Sequence, residues 1–144
     1  MNRTAITALR RLRQYELEKE EWKLQARQRE EMDMLAVCTH AQNRLGNEML
    51  VDIGTSALDW KRRADGVREL GHEFETAQRQ FRLAQQARNE QIQAVLNAKR
   101  RVEIVDRLLE RDDDARRAER DQIERKLLDD LAAGRATQPE FAGI

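Results

Sequence analysis

The sequence predicts an all-α fold: a two-helix antiparallel coiled-coil hairpin whose longer second helix overhangs at its C-terminal end. Charged residues make up 38% of the 144 residues and aromatic residues 4%, which is typical of coiled coils and not of globular cores. The single proline, Pro139, lies near the end, so nothing breaks a helix before it. Apolar residues also recur every seven positions over 60–109, which is the repeat of a coiled coil.

This repeat places two rows of residues on one face of a helix. The first row is apolar except at Arg88, and the second is mostly small or apolar except at Gln91. The rows are Trp60, Val67, Phe74, Phe81, Arg88, Val95, Val102 and Leu109, and Leu70, Ala77, Ala84, Gln91, Ala98 and Val105. The other positions are nearly all polar, so the helix has one narrow apolar seam that a second helix must cover.

The first helix is predicted at about 4–47, with Thr4 as its cap. Its apolar residues are less regular than those of the second helix. Leu12, Tyr15, Trp22 and Ala26 share one face, Leu17 and Leu24 lie beside it, and Leu35, Cys38, Leu45 and Met49 continue the apolar stripe.

The densest turn signal falls at about 48–56, around Gly46, Asn47, Asp52 and Gly54. Ser56 is a good N-cap and Asp59 places negative charge in the first turn, so the second helix begins near residue 57. Gly134 is expected to end it. The prediction is one helical hairpin over 1–134, with helix 2 at about 57–134, followed by a flexible tail at 135–144.

A short link makes two long helices antiparallel neighbours. Folding the chain about Ile53 places Trp22 opposite Ala84, and the first helix then runs out opposite about residue 103. The second helix continues for ~30 residues, or ~45 Å. Residues 110–121 are charged apart from two alanines, so they are predicted to form a solvated single helix.

Apolar residues return on one face at the end of this overhang, and nothing within the chain is left to cover them. They are Ile123, Leu127, Leu128 and Leu131. Either this end inserts into another protein, or it frays or pairs with a second copy in a crystal.

Composition excludes several classes of function. Lys+Arg and Asp+Glu are both 27, so the chain is neutral, whereas a protein that binds nucleic acid along its length should be basic. The single cysteine, Cys38, cannot form an internal disulfide. No apolar run is long enough to span or insert into a bilayer, and no signal core follows Met1, so a soluble cytoplasmic protein is expected.

No catalytic, cofactor or metal site is predicted. The chain has no phosphate-binding loop. Cys38 and His40 are two residues apart and point in different directions on a helix, and His72 is expected far away along the hairpin. The hairpin is expected to offer no concave pocket. The run Asp112 to Asp114 is flanked by arginines that would neutralise it. The chain is therefore predicted not to be an enzyme.

The segment Asp121 to Arg135, DQIERKLLDDLAAGR, resembles the C-terminal pattern of the FliJ/YscO family, the central stalk proteins of flagellar and injectisome type III export. That pattern is a basic or amide pair, two acids, and an apolar residue followed by alanine. The matching positions are Arg125, Lys126, Asp129, Asp130, Leu131 and Ala132. The turn and aromatic from Gly54 to Trp60 are similar to the family's hairpin tip.

The resemblance implies a non-enzymatic stalk that inserts into a hexameric export ATPase ring and links it to the membrane export gate. The partner-binding residues would be Ile123, Arg125, Lys126, Leu127, Asp129, Asp130 and Leu131. Some family members bind export chaperones, so these are implied partners too. The resemblance implies a cytoplasmic protein, peripheral to the inner-membrane export apparatus, that is monomeric alone and carries no cofactor.

The alternative is a homodimerising structural coiled-coil adaptor. A prefoldin-type chaperone would need strand-forming segments, and none is visible.

Overall fold

The computed structural model describes residues 2–51, 54 and 56–137, which form two helices, α1 (Arg3–Leu50) and α2 (Ala57–Thr137). The helices pair antiparallel, which confirms the predicted all-α hairpin. Two compact units can be distinguished. The first contains Met1–Arg13 with Arg101–Ile144, and the second contains Gln14–Arg100.

The start of α2 agrees with its predicted cap, whereas both helices end later than expected. The backbone N–H of Asp59 donates to the Ser56 hydroxyl oxygen at 3.2 Å. α1 continues through Gly46 to Leu50, because its last turns still pack half-buried residues such as Leu45. This packing outweighs the ~1 kcal/mol cost of a helical glycine. α2 likewise passes Gly134 and reaches Thr137.

Several expectations fall on residues outside the described part of the chain. These residues are Asp52 and Ile53 of the link, and Pro139 within the predicted tail.

The seam of α2 lies where its seven-residue repeat predicts. Every buried residue among the described part of α2 belongs to one of the two predicted rows. These residues are Ala77, Ala84, Val95, Ala98, Val102 and Val105. These residues are alanines and valines, so each removes little apolar area from water. The helix pair is therefore stabilised by many such residues along the seam.

The face predicted for the first half of α1 was wrong, whereas Cys38 and Leu45 of its second half are half-buried as expected. Tyr15 and Trp22 are 65% and 75% exposed, so Trp22 does not cover Ala84. The covered row instead contains Leu17, which is buried, and Leu24, which is half-buried. The error arose because several residues on the covered side of α1 are charged, and the periodicity of apolar residues therefore pointed to another face.

The predicted register was also wrong. In the first unit, the Arg10 Nε atom lies 2.7 Å from Oδ1 of Asp106. A fold about Ile53 would place Arg10 opposite about residue 96, so α2 is displaced by about ten residues, or roughly 15 Å.

The tip of the second unit explains this displacement. The Arg63 guanidinium donates to the backbone carbonyl of Met49, so the last turn of α1 lies beside Arg63. The first turns of α2 therefore extend past the end of α1. Trp60, which the repeat placed in the seam, is 59% exposed.

Substituting Val105 tests the seam, and its exposed neighbour Ile104 serves as the control. Val105 is 2% exposed, whereas Ile104 is 56% exposed. Val105→Ala should lower the free energy of unfolding by about 1.5 kcal/mol, because buried methyl groups are lost and a small cavity is left. Ile104→Ala, which removes more atoms from an exposed site, should change it by less than ~0.5 kcal/mol. Urea unfolding followed by circular dichroism measures both. Equal losses would contradict the assigned seam.

Candidate functional site

The strongest candidate site is the end of α2, which extends beyond α1. In the first unit, Arg3 contacts the carboxylate of Asp113, so α1 reaches this point of α2 and not about residue 103 as expected. From Asp114 to Arg135 every residue is exposed. This overhang confirms that α2 is the longer helix. Residues 114–137 extend for about 36 Å as a single helix.

The overhang presents an apolar face to solvent. Ile123, Leu127 and Leu131 follow one another at intervals of four, which places them on one side of the helix, and Leu128 lies beside them. All four are between 54% and 62% exposed. An exposed apolar row of this kind is typical of an interaction surface. We call these four residues the end patch.

The polar residues predicted with the end patch are also exposed. Arg125, Lys126, Asp129 and Asp130 form no ion pair among the described residues. Their charges are therefore available to a partner. The geometry brings all seven predicted partner-binding residues onto one exposed helical segment.

The acidic run closer to α1 is already neutralised. Asp112 Oδ2 lies 3.3 Å from Nε of Arg116 and 3.8 Å from Nη1 of Arg3. Within the described residues, no group of three or more histidine, cysteine or acidic side chains is arranged to hold a metal ion.

A second exposed apolar cluster, which the sequence reading missed, lies at the tip of the second unit. Leu50 is 84% exposed, and Val51, Leu58 and Trp60 are between 55% and 59% exposed. The turn signal located this tip, but its apolar surface follows only from the register, because the first turns of α2 lie past α1.

The two histidines lie closer together than expected. Both line a shallow groove of about 570 Å³ in the second unit, where Ala41 and Ala77 are small enough to leave a depression. The antiparallel pairing brings His40 and His72, which are distant in sequence, to the same level of the two helices. The expectations that His72 would be remote and that no concavity would exist were therefore wrong.

A polar contact lies within the apolar seam of the second unit. Nε2 of Gln91 donates to the backbone carbonyl of Glu20 at 3.0 Å and to its carboxylate Oε2 at 2.5 Å. The hydrogen bond from Gln91 lowers the pKa of Glu20 below its ordinary value, with smaller contributions from Lys23 and Lys19. The contact therefore favours the ionised carboxylate.

No family model, curated protein or solved structure matches the chain. Within the described residues, neither helix is apolar enough over a sufficient length to cross a membrane.

The lowered pKa of Glu20 makes the stability of the hairpin depend on pH. A carboxyl group whose pKa is lower in the folded state stabilises that state above its unfolded pKa, near 4.5, and this contribution is lost as the pH falls through the folded pKa. Gln91→Leu removes the main cause, so the free energy of unfolding should fall less steeply below pH 4.5 than in the parent. Gln93→Leu, on the exposed side, should retain the parent's dependence. Urea titrations over this pH range compare the slopes, and identical slopes for all three proteins would contradict the assignment.

Proposed function

We propose that the protein is a non-enzymatic central stalk of a type III protein export apparatus, whose overhang inserts into a hexameric export ATPase ring. The observation that carries the proposal is the exposed single helix of residues 114–135, which ends in the end patch. A single helix is about 10–12 Å across, so it can enter an opening that a helical pair would not. The resemblance of residues 121–135 to FliJ/YscO proteins supplies the identity of the partner.

The chemistry of the overhang supports a docking role. The apolar face offers area that a partner can remove from water. The unpaired charges around it, on Arg125, Lys126, Asp129 and Asp130, can form ion pairs that set the orientation of the helix. Aliphatic anchors surrounded by charges are a common way for an amphipathic helix to bind a groove.

The opposite end of α2 would face the membrane export gate. The exposed apolar residues of the tip, among them Leu50 and Trp60, support a contact with another protein there. In this proposal the protein is cytoplasmic and peripheral to the inner-membrane apparatus, and export chaperones are further partners. It has no catalytic role.

Binding to the ring should depend on the end patch. Leu127→Asp combined with Leu131→Asp should abolish capture of the export ATPase hexamer from the same system, because two charges would replace two apolar anchors. Both positions are exposed in the free chain, so helicity measured by circular dichroism should be unchanged.

The matched control combines Leu83→Asp with Ile104→Asp. These two residues of α2 are 64% and 56% exposed but lie outside the end patch. The control should bind the ring as the parent does. Undiminished capture by the end-patch variant would overturn the assignment of this end.

The exposure of the end patch also favours a second candidate, a homodimerising structural coiled-coil adaptor. Two copies could cover the patch by pairing the same segments about a twofold axis. The stalk proposal expects a monomer across the micromolar range in sedimentation velocity. A concentration-dependent shift to a dimer in the parent, lost on changing Leu127 and Leu131 to Asp, would support the adaptor instead.

A further inference from the structure

The apolar residues of the seam do not by themselves fix the axial position of the helices. On α2, Phe74 with Ala77 is repeated seven residues later as Phe81 with Ala84. Sliding α1 by seven residues therefore exchanges one of these pairs for an identical one. Coiled coils with such repeats need polar positions to specify one register.

On α1 the covered row is similarly repetitive. It contains Leu17, Leu24, Cys38 and Leu45 at intervals that are multiples of seven, and Glu31 is the one interruption. These residues are buried or half-buried in the second unit. A slide by seven positions replaces one apolar residue by another at two of the four steps of this row, and the other two steps involve Glu31.

Two polar residues in the seam of α2 have specific partners on α1. Nε of Arg88 lies 2.8 Å from Oε2 of Glu31, whose side chain is only 15% exposed. The Arg88 Nε atom is buried and has no hydrogen-bond partner among the described residues, so the Glu31 carboxylate beside it is its nearest compensating charge. Three residues further on, Nε2 of Gln91 donates to the backbone carbonyl oxygen of Glu20 and to its carboxylate Oε2.

A shift of α1 by seven residues along α2 would remove these contacts. Each α2 residue would then meet the α1 residue seven positions earlier, so Leu24 would take the place of Glu31 against Arg88. Glu20 would lie across from Arg88, and Gln91 would lose both acceptors. Outside the seam, Val37 would replace Arg44, whose Nη1 atom now lies 2.9 Å from the Glu73 carboxylate.

We propose that Glu20, Glu31, Arg88 and Gln91 form a register lock, a polar layer that selects one axial position of α1 against α2. The competing position lies about one heptad away, where the repeated pairs Phe74 with Ala77 and Phe81 with Ala84 also match. The lock acts by selection, because in the alternative position Arg88 loses Glu31 and the amide of Gln91 loses both of its acceptors. This inference does not depend on the proposed function.

The register can be measured as a distance between spin labels in the full chain. In a Cys38→Ala background, cysteines replacing the exposed Asn43 and Arg79 carry nitroxides, and pulsed electron paramagnetic resonance gives their separation. The chain with the lock intact should give one distance. Arg88→Leu with Gln91→Leu should add a second population, displaced along the helix axis by about 10 Å, which is seven residues at 1.5 Å each.

The matched control is Arg82→Leu with Gln86→Leu, the same changes of residue type on the exposed side of α2. It should keep the single distance. A single unchanged distance in the Arg88→Leu, Gln91→Leu protein would overturn the proposal.

A charge exchange provides a second test if the leucine variant does not fold. Arg88→Glu alone places two carboxylates together and should broaden or split the distance distribution. Arg88→Glu combined with Glu31→Arg restores an opposite pair and should return the single distance. Failure of the double variant to restore it, or an unchanged distribution for Arg88→Glu, would refute the lock.

Discussion

The structure depends on one constraint: α2 has a single narrow apolar seam, and only α1 can cover it. The alanines and valines of that seam bury little area individually, so the pairing must extend over many turns to be stable. Where α1 ends, the apolar residues of α2 become exposed. The tip near Trp60 and the end patch beyond Asp113 are both consequences of this rule.

Much of the fold could be predicted, because in α2 the apolar residues and the covered residues coincide. The fully buried members of its two rows, among them Val95, Ala98 and Val105, are all apolar. In α1 this coincidence fails. Arg10 and Glu31 lie toward α2 and find charged partners there, while Tyr15 and Trp22 face solvent. A hydropathy pattern cannot distinguish a charge that is neutralised across the seam from one that is solvated.

The register could not be obtained from the same information. It depends on the path of a six-residue link and on pairs such as Arg88 with Glu31, whose partners are distant in sequence. The end patch was predictable because it required only that α2 extend beyond α1, and this holds in either register. The groove that His40 and His72 share was not, since it depends on which residues lie at the same level.

The exposed overhang has a consequence for the thermodynamics of association. Residues 114–135 are all exposed, yet their helix continues without interruption from turns that are held by packing. Nucleation, the costly step for an isolated helix, has therefore already occurred within the paired part. A partner meets a backbone that is preorganised, so binding loses less conformational entropy than it would with a segment that folds on contact. A few aliphatic side chains can then support a useful affinity over a short length of helix.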